Sequence, residues 1–239
     1  VSDAAPAEDD HDGVLRLFPP VPGATRIVLV RHGQAECNLN RVVGGVKGCT
    51  GLTALGREQV AALADRLYES GELRGATALY SSVLARAVET AEGLRAVVGS
   101  GPDALGPVRR RCDLCELHPG ACDAMSWEDV VATFGVPDWD RDPTRPIAPG
   151  GESWSSFVPR AAGAVREVLR DHPGELVVAV VHAGVIEATM ISFLEVAPEV
   201  YQRGWLSIAH ASMTEWEWVP DQDRFILIRF NDAAGVPRS

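Results

Sequence analysis

Two periodicities organise the apolar positions of this chain. Ile27-Val28-Leu29-Val30 and Leu176 to Val181 are continuous apolar runs without polar alternation, the pattern of strands covered on both faces, and they predict two central parallel strands. Val60, Leu63, Ala64, Leu67 and Tyr68, and later Phe157, Ala161, Ala164, Val165, Val168 and Leu169, recur instead at helical spacing. Each set predicts a helix lying on a sheet. Ala76 to Tyr80 predicts a third strand, Val83 to Val97 a helix, and Val108 to Leu114 a fourth strand. Near the carboxyl end Met213 to Val219 alternates around Trp216 and Trp218, Pro220 to Asp223 marks a turn, and Phe225 to Phe230 returns as a hairpin partner. The sum is an α/β protein: a three-layer α/β/α sandwich around a mostly parallel, mixed sheet.

Composition narrows the class. An apolar fraction of 46% with 23% charged residues excludes a fibrous or disordered chain, and 239 residues without a linker or repeat favour one domain, 24–239. Residues 1–23, acidic and Pro-containing, are expected to be a partly disordered lead-in. The formal charge of −11 opposes a nucleic-acid partner, so any phosphate binding must be local. No apolar run reaches the roughly 18 residues of a membrane span, and the start lacks the basic and apolar stretches of an export signal, so a cytoplasmic location is expected. Five cysteines, an odd number, make reduced thiols the default.

Ligands of open parallel sheets bind beyond the carboxyl ends of strands, so the residues that follow each predicted strand carry the candidate chemistry. The first strand ends in Arg31-His32-Gly33 and the one at 176–181 in His182-Ala183-Gly184. The third leads through Ser81-Ser82 to Arg86, and the fourth to Glu116. Two histidines, two arginines and a carboxylate suit phosphoryl transfer through a phosphohistidine: a neutral imidazole to attack phosphorus, cations for its oxygens, and an acid for the leaving oxygen. That chemistry calls for neither metal nor organic cofactor. Competing roles stand beside these assignments. Asp113, Glu128 and Asp129 are alternative carboxylates to Glu116, and Asn38 could cap a local turn. Cys112-x-x-Cys115 with His118 and Cys122 could form a zinc tetrahedron. Isolated small thiols are preferred, because a thiolate cage at Cys115 would constrain Glu116. Trp127, Trp139 and Trp154 are expected to pack the segment over the site, or the core.

Five ordered blocks resemble the histidine phosphatase, or phosphoglycerate mutase-like, superfamily. They are Leu29-Val30-Arg31-His32-Gly33 with Asn38 and Leu52-Thr53-Ala54-Leu55-Gly56, the segment Ser81 to Ala91, Glu116, Gly151-Glu152-Ser153, and His182-Ala183-Gly184. The resemblance implies that His32 is the nucleophile and Glu116 the proton donor. It assigns the phosphoryl group to Arg31, Asn38, Arg86 and His182, with Gly45 and Ala183 also at the substrate site. It further implies a phosphoric monoester hydrolase of the histidine acid phosphatase type, acting on a small phosphoester. The Asn-x-x-Asn and Phe-x-Gly-Trp pattern of phosphoglycerate mutase is incomplete, and the segments around Gly45, Gly120 to Glu128 and Pro149 to Ser153 are more similar to the fructose-2,6-bisphosphatase branch. That branch has Lys, Gln and Arg where Gly150, Ala183 and Glu187 stand, so a second phosphate is disfavoured here unless Lys47, Arg141 or Arg145 supplies charge. A mutase and a non-catalytic phospho-ligand or protein-binding member are the alternatives. The 213–230 hairpin leaves a homodimer open, with a solvated edge bearing Glu215, Glu217 and Arg229 as the competing reading.

Overall fold

The computed structural model describes residues 21–99, 105–196 and 206–238. Among these residues six strands form one sheet: β1 (Thr25–Arg31), β2 (Ala76–Ser81), β3 (Arg109–Arg110), β4 (Leu176–Val181), β5 (Met213–Val219) and β6 (Arg224–Asp232). Their spatial order is β3-β2-β4-β1-β5-β6. The first four strands pair in parallel and β5 and β6 antiparallel, which is the expected mixed sheet. The helices are α1 (Glu36–Leu39), α2 (Ala54–Ser70), α3 (Ala85–Leu94), α4 (Trp127–Phe134), α5 (Trp154–Asp171) and α6 (Ala183–Phe193).

The apolar runs of β1 and β4 lack polar alternation because both sheet faces are covered. Ile27, Leu29, Val177, Ala179 and Trp216 pack on Phe157, Val165 and Leu169 of α5 and Ile186 of α6. Val28, Val30, Val178, Val180 and Met213 face the other way, onto Leu63 and Leu67 of α2 and Ala87 and Leu94 of α3. Each such aliphatic side chain contributes roughly 1.5–3 kcal/mol by leaving water. Local signals set the helix ends. Thr53 Oγ1 accepts the Gly56 N–H at 2.9 Å to open α2, and Gly71, with φ of 69°, closes it in the left-handed conformation.

Three expectations are corrected. The strand expected over 108–114 pairs only at Arg109–Arg110, after which Cys112–Leu114 coil into a 3-10 turn. The cause is distant in sequence: the Arg160 guanidinium binds the carbonyls of Asp113 and Cys115 at 2.8 and 2.7 Å and bends the chain off the sheet. The helix expected over 83–97 starts at Ala85, because Ser82 Oγ takes the Leu84 N–H at 3.2 Å, and ends at Leu94. The hairpin strand β5 is no solvated edge. It lies between β1 and β6, and Glu215 and Glu217 are buried on the α2 face. Glu215 pairs there with Arg26 at 2.7 Å and Arg229 at 3.1 Å. Most of the expected lead-in lies outside the described residues; Val21 donates its N–H to Glu217 Oε1 at 2.9 Å.

A buried ion pair whose partner is deleted leaves an uncompensated charge. Glu215→Ala removes the buried carboxylate that Arg26 and Arg229 share, while Glu72 and Asp232 still pair with Arg229, and is therefore expected to lower stability by about 3 kcal/mol, the low end for a broken buried pair, in urea unfolding. A loss below about 1 kcal/mol, the range of exposed pairs, would contradict that account.

Candidate active site

The chain leaves β1 and β2 towards α2 and α3 on one sheet face, but leaves β4 towards α6 on the other. Such divergence between neighbouring strands opens a crevice at their carboxyl ends. Arg31 and His32 enter it from the end of β1, Arg86 from the first turn of α3, His182 from the position capping α6, and Glu116 from the loop beyond β3. The structure thus brings together the five residues that strand-end reasoning selects.

His32 is buried, with Nδ1 2.7 Å from the Gly33 carbonyl and Nε2 3.0 Å from Arg86 Nε. A guanidinium N–H only donates, so Nε2 is the acceptor and the ring proton sits on Nδ1. Burial, followed by the charges of Arg86, His182 and Arg31, holds the imidazole well below its ordinary pKa of 6.5. The result is a neutral ring whose Nε2 lone pair lies against a cation.

His182 stands with its ring centroid 5.1 Å from that of His32 and is wholly buried. Its Nε2 is 2.7 Å from Ser82 Oγ. Ser82 Oγ also accepts the Leu84 N–H, and with its own hydroxyl assigned as donor to Nε2 the His182 proton lies on Nδ1. That Nδ1 and Arg31 Nε are buried and have no hydrogen-bond partner among the described residues. Buried donors are ordinarily satisfied, so two of them at adjacent strand ends make a site suited to an anion. Burial lowers Arg31 to about 10 against the opposing pull of Glu116, which leaves the guanidinium charged at neutral pH. Its other nitrogens are anchored: Nη1 donates to the Ile208 carbonyl and Nη2 is 3.0 Å from His210 Nε2. Arg86 is anchored likewise, donating through Nη1 to the Gly44 carbonyl at 2.6 Å.

Glu116 Oε2 accepts the Gly184 N–H at 3.1 Å at the start of α6. Glycine at 184 leaves room for this contact, since a Cβ there would push on Glu116 Oε1. The competing carboxylates are engaged elsewhere. Asp113 takes Arg111 Nε at 3.0 Å, Asp129 takes the Ser126 hydroxyl at 2.7 Å, and Glu128 lies exposed on the first turn of α4.

Other sequence candidates sit further from the two histidine rings in role. Asn38, exposed on α1, accepts the Ala35 N–H at 3.2 Å through Oδ1, which is the turn-capping arrangement. Gly45 is buried beneath Asp123, whose carboxylate and Pro119 each lie 2.6 Å from where a Cβ would stand. Ala183 is the first residue of α6, next to His182. Trp139 stacks on Trp154 at 5.6 Å as expected, whereas Trp127 is 44% exposed and does not pack the core. Arg141 is spent on Asp138 and Arg145 on the Phe134 carbonyl, while Lys47 is exposed.

Sequence reasoning missed two features. His210, with its ring centroid 5.8 Å from that of His32, is driven down to about 3 by burial and then by Arg31 and Arg86. The antiparallel pairing of β5 with β1, continued by the Ala211 N–H on the Arg31 carbonyl, carries it there, so no strand-end signal marks it. Ser82 carries no marker either, as a serine after a strand normally reads as a cap.

A mixed α/β sheet thus gathers two histidines, two arginines and one carboxylate at its carboxyl end, an arrangement suited to an anion. The chain belongs to the histidine phosphatase superfamily, branch 1, whose family model matches residues 27–233. It is 31% identical over 172 residues to the metal-independent phosphoserine phosphatase of Arabidopsis thaliana, a stretch covering 69% of this chain and 66% of that protein. It is 28% identical to rat 6-phosphofructo-2-kinase/fructose-2,6-bisphosphatase 1 over 71% of this chain and 32% of the relative. The chain therefore spans less than two thirds of these curated relatives. Among solved structures it is similar to mycobacterial glucosyl-3-phosphoglycerate phosphatase in complex with VO3, with TM-score 0.68, 27% identity, and coverage of 87% of this chain and 98% of that one. YhfR of Bacillus stearothermophilus gives TM-score 0.73 at 26% identity, covering 90% and 100%. No helix among the described residues is long and apolar enough to cross a membrane.

Proposed function

We propose that this protein is a phosphomonoesterase that hydrolyses a small phosphorylated metabolite through a phosphohistidine, without a metal at the reacting phosphorus. The observation that carries the reading is the pinned tautomer of His32, with Nδ1 on the Gly33 carbonyl and Nε2 free of a proton beside Arg86. In the first half-reaction Nε2 attacks phosphorus and the ester P–O bond breaks. Glu116 supplies a proton to the departing alkoxide, so a neutral alcohol leaves. In the second half, water attacks the phosphohistidine and gives its proton to Glu116, which regenerates His32 and releases inorganic phosphate. Arg86, the His182 Nδ1–H and the Arg31 Nε–H are suited to hold the equatorial oxygens. Two relatives whose names denote phosphatases of singly phosphorylated metabolites support the same class.

The direct test is phosphate release from a panel of phosphomonoesters and bisphosphates without added divalent cation. Turnover that added Mg2+ leaves unchanged supports the reading. Transfer of the phosphoryl group to a second substrate hydroxyl instead of water would replace it with a mutase.

Glu187 supports a substrate with one phosphate. It lies one turn after Gly184 on α6, and burial together with the neighbouring Glu116 charge raises it to about 7. Because its pKa is raised, it is neutral on the acid side and becomes a carboxylate as pH climbs through about 7. Repulsion of a second phosphate therefore appears on the alkaline side. The kcat/KM of a sugar bisphosphate relative to a monophosphate is expected to fall on the order of tenfold between pH 6 and pH 8, and Glu187→Gln should flatten the ratio. A wild-type ratio that does not move with pH would remove Glu187 from specificity.

A further inference from the structure

The turn that follows β3 carries three soft donors that the phosphatase chemistry does not use. Cys112 Sγ lies 3.8 Å from Cys115 Sγ and 3.7 Å from His118 Nε2. All three donor atoms fall within 4.8 Å of one another. A tetrahedral zinc ion with Zn–S of about 2.3 Å and Zn–N of about 2.0–2.1 Å requires edges of about 3.8 Å between sulfurs and about 3.6 Å between sulfur and nitrogen. The Cys112–Cys115 and Cys112–His118 separations match these edges to within about 0.1 Å. From these positions we propose that Cys112, Cys115 and His118 bind one zinc-type divalent ion, with a fourth position open towards solvent on the exposed Cys112 side.

A second observation comes from the far side of the imidazole. His118 Nδ1 faces Glu152 Oε2 at 3.7 Å, while Nε2 faces Cys112. A carboxylate behind the non-ligating nitrogen is the usual device that orients a metal-bound histidine and raises its basicity. Glu152 is itself immobilised, accepting Arg160 Nε–H at 3.0 Å and the backbone N–H of His118 at 2.8 Å. Two thiolates and one imidazole select zinc over magnesium or calcium, which take oxygen donors. Cys122 is not part of this group. Its Sγ donates to the Pro119 carbonyl at 3.0 Å and packs among Val43, Val130 and Ile147. The tetrahedron of three thiolates plus imidazole is thus corrected to two thiolates, and isolated thiols describe Cys122 but not Cys112 and Cys115.

The role is structural. The donors bracket Glu116, yet the Glu116 carboxylate is turned to the Gly184 N–H and stays outside the cluster. The ion would clamp the segment that Arg160 already bends, and so hold Glu116 in register without consuming it. Binding requires both thiols to lose their protons, so affinity should rise with pH.

Co2+ is the probe, added to reduced, metal-stripped full-length protein and followed by thiolate-to-cobalt charge-transfer absorption. Saturation at one ion per chain, with Zn2+ displacing the signal, is expected. Cys112→Ser, an exposed position, and His118→Gln should each weaken binding by more than the roughly 10–100-fold that loss of an outer partner alone costs. Cys122→Ser should bind as wild type. Absence of the charge-transfer band, or equal binding by Cys112→Ser, would overturn the proposal. So would quantitative formation of a Cys112–Cys115 disulfide in its place under the same reducing conditions. Catalytic rate enters none of these readouts, so they are independent of the phosphatase reading.

Discussion

Replacing His32 with alanine is expected to reduce phosphate release by at least about four orders of magnitude, the scale on which removal of a covalent nucleophile acts. Among the described residues no other ring in the crevice is placed to substitute. His182 spends Nε2 on Ser82 and is assigned its proton on Nδ1, and His210, whose Nε2 likewise lies beside a guanidinium, is only half-buried where His32 is buried. Among the described residues only His32 Nε2 combines burial, a missing proton and a cation placed beside it. Wild type quenched during turnover of a phosphorus-labelled substrate should carry label that is lost in acid and survives alkali, as a phosphoramidate does. His32→Ala should carry none. His182→Ala should still be labelled, more slowly, because it removes a phosphoryl donor and leaves the nucleophile. Label that persists in His32→Ala would rule out the mechanism.

Glu116→Gln should cost about 10²–10⁴ in rate on alkyl phosphates, the range of a lost general acid–base group. The amide oxygen can still accept the Gly184 N–H, so the variant tests proton transfer and not the loop's anchorage. A nitrophenyl ester sharpens the test, since its leaving group departs without a proton. Phosphorylation of His32 should then stay fast while attack by water becomes slow, which gives a burst of nitrophenolate followed by a slow steady state. Equal losses on both ester types without a burst would show that Glu116 handles no proton. A loss below about threefold on alkyl esters would transfer the role to another group.

The strands and the catalytic candidates were legible for connected reasons. Burial on both sheet faces writes itself into β1 and β4 as unbroken apolar runs, and crevice geometry makes the residue after a strand chemically privileged. Arg31, His32, Arg86 and His182 each follow a strand within a few residues, and local pattern was enough to find them. Glu116 was found although its strand was drawn too long. What bends 108–114 away from the sheet is Arg160, which lies 44 to 47 residues further along the chain. Hairpin polarity misled in the same way. Alternation identified β5 correctly, but that Glu215 and Glu217 are buried depends on β6 taking the edge, on arginines from β1 and β6 meeting Glu215, and on the Val21 N–H meeting Glu217.

By itself, then, the order of residues determined the class of fold, the two central strands, and that His32, His182, Arg31 and Arg86 lie at the strand ends lining the crevice. All of these follow from periodicity and short-range stereochemistry, which are written over a few consecutive positions. Tertiary structure alone decided which nitrogen of His32 is free, that Ser82 orients His182, that His210 lies near the site, and that Cys112, Cys115 and His118 converge while Cys122 does not. Each of these depends on hydrogen bonds or packing between segments distant in sequence, or on the direction of a side chain within a few ångströms. A one-dimensional pattern carries neither.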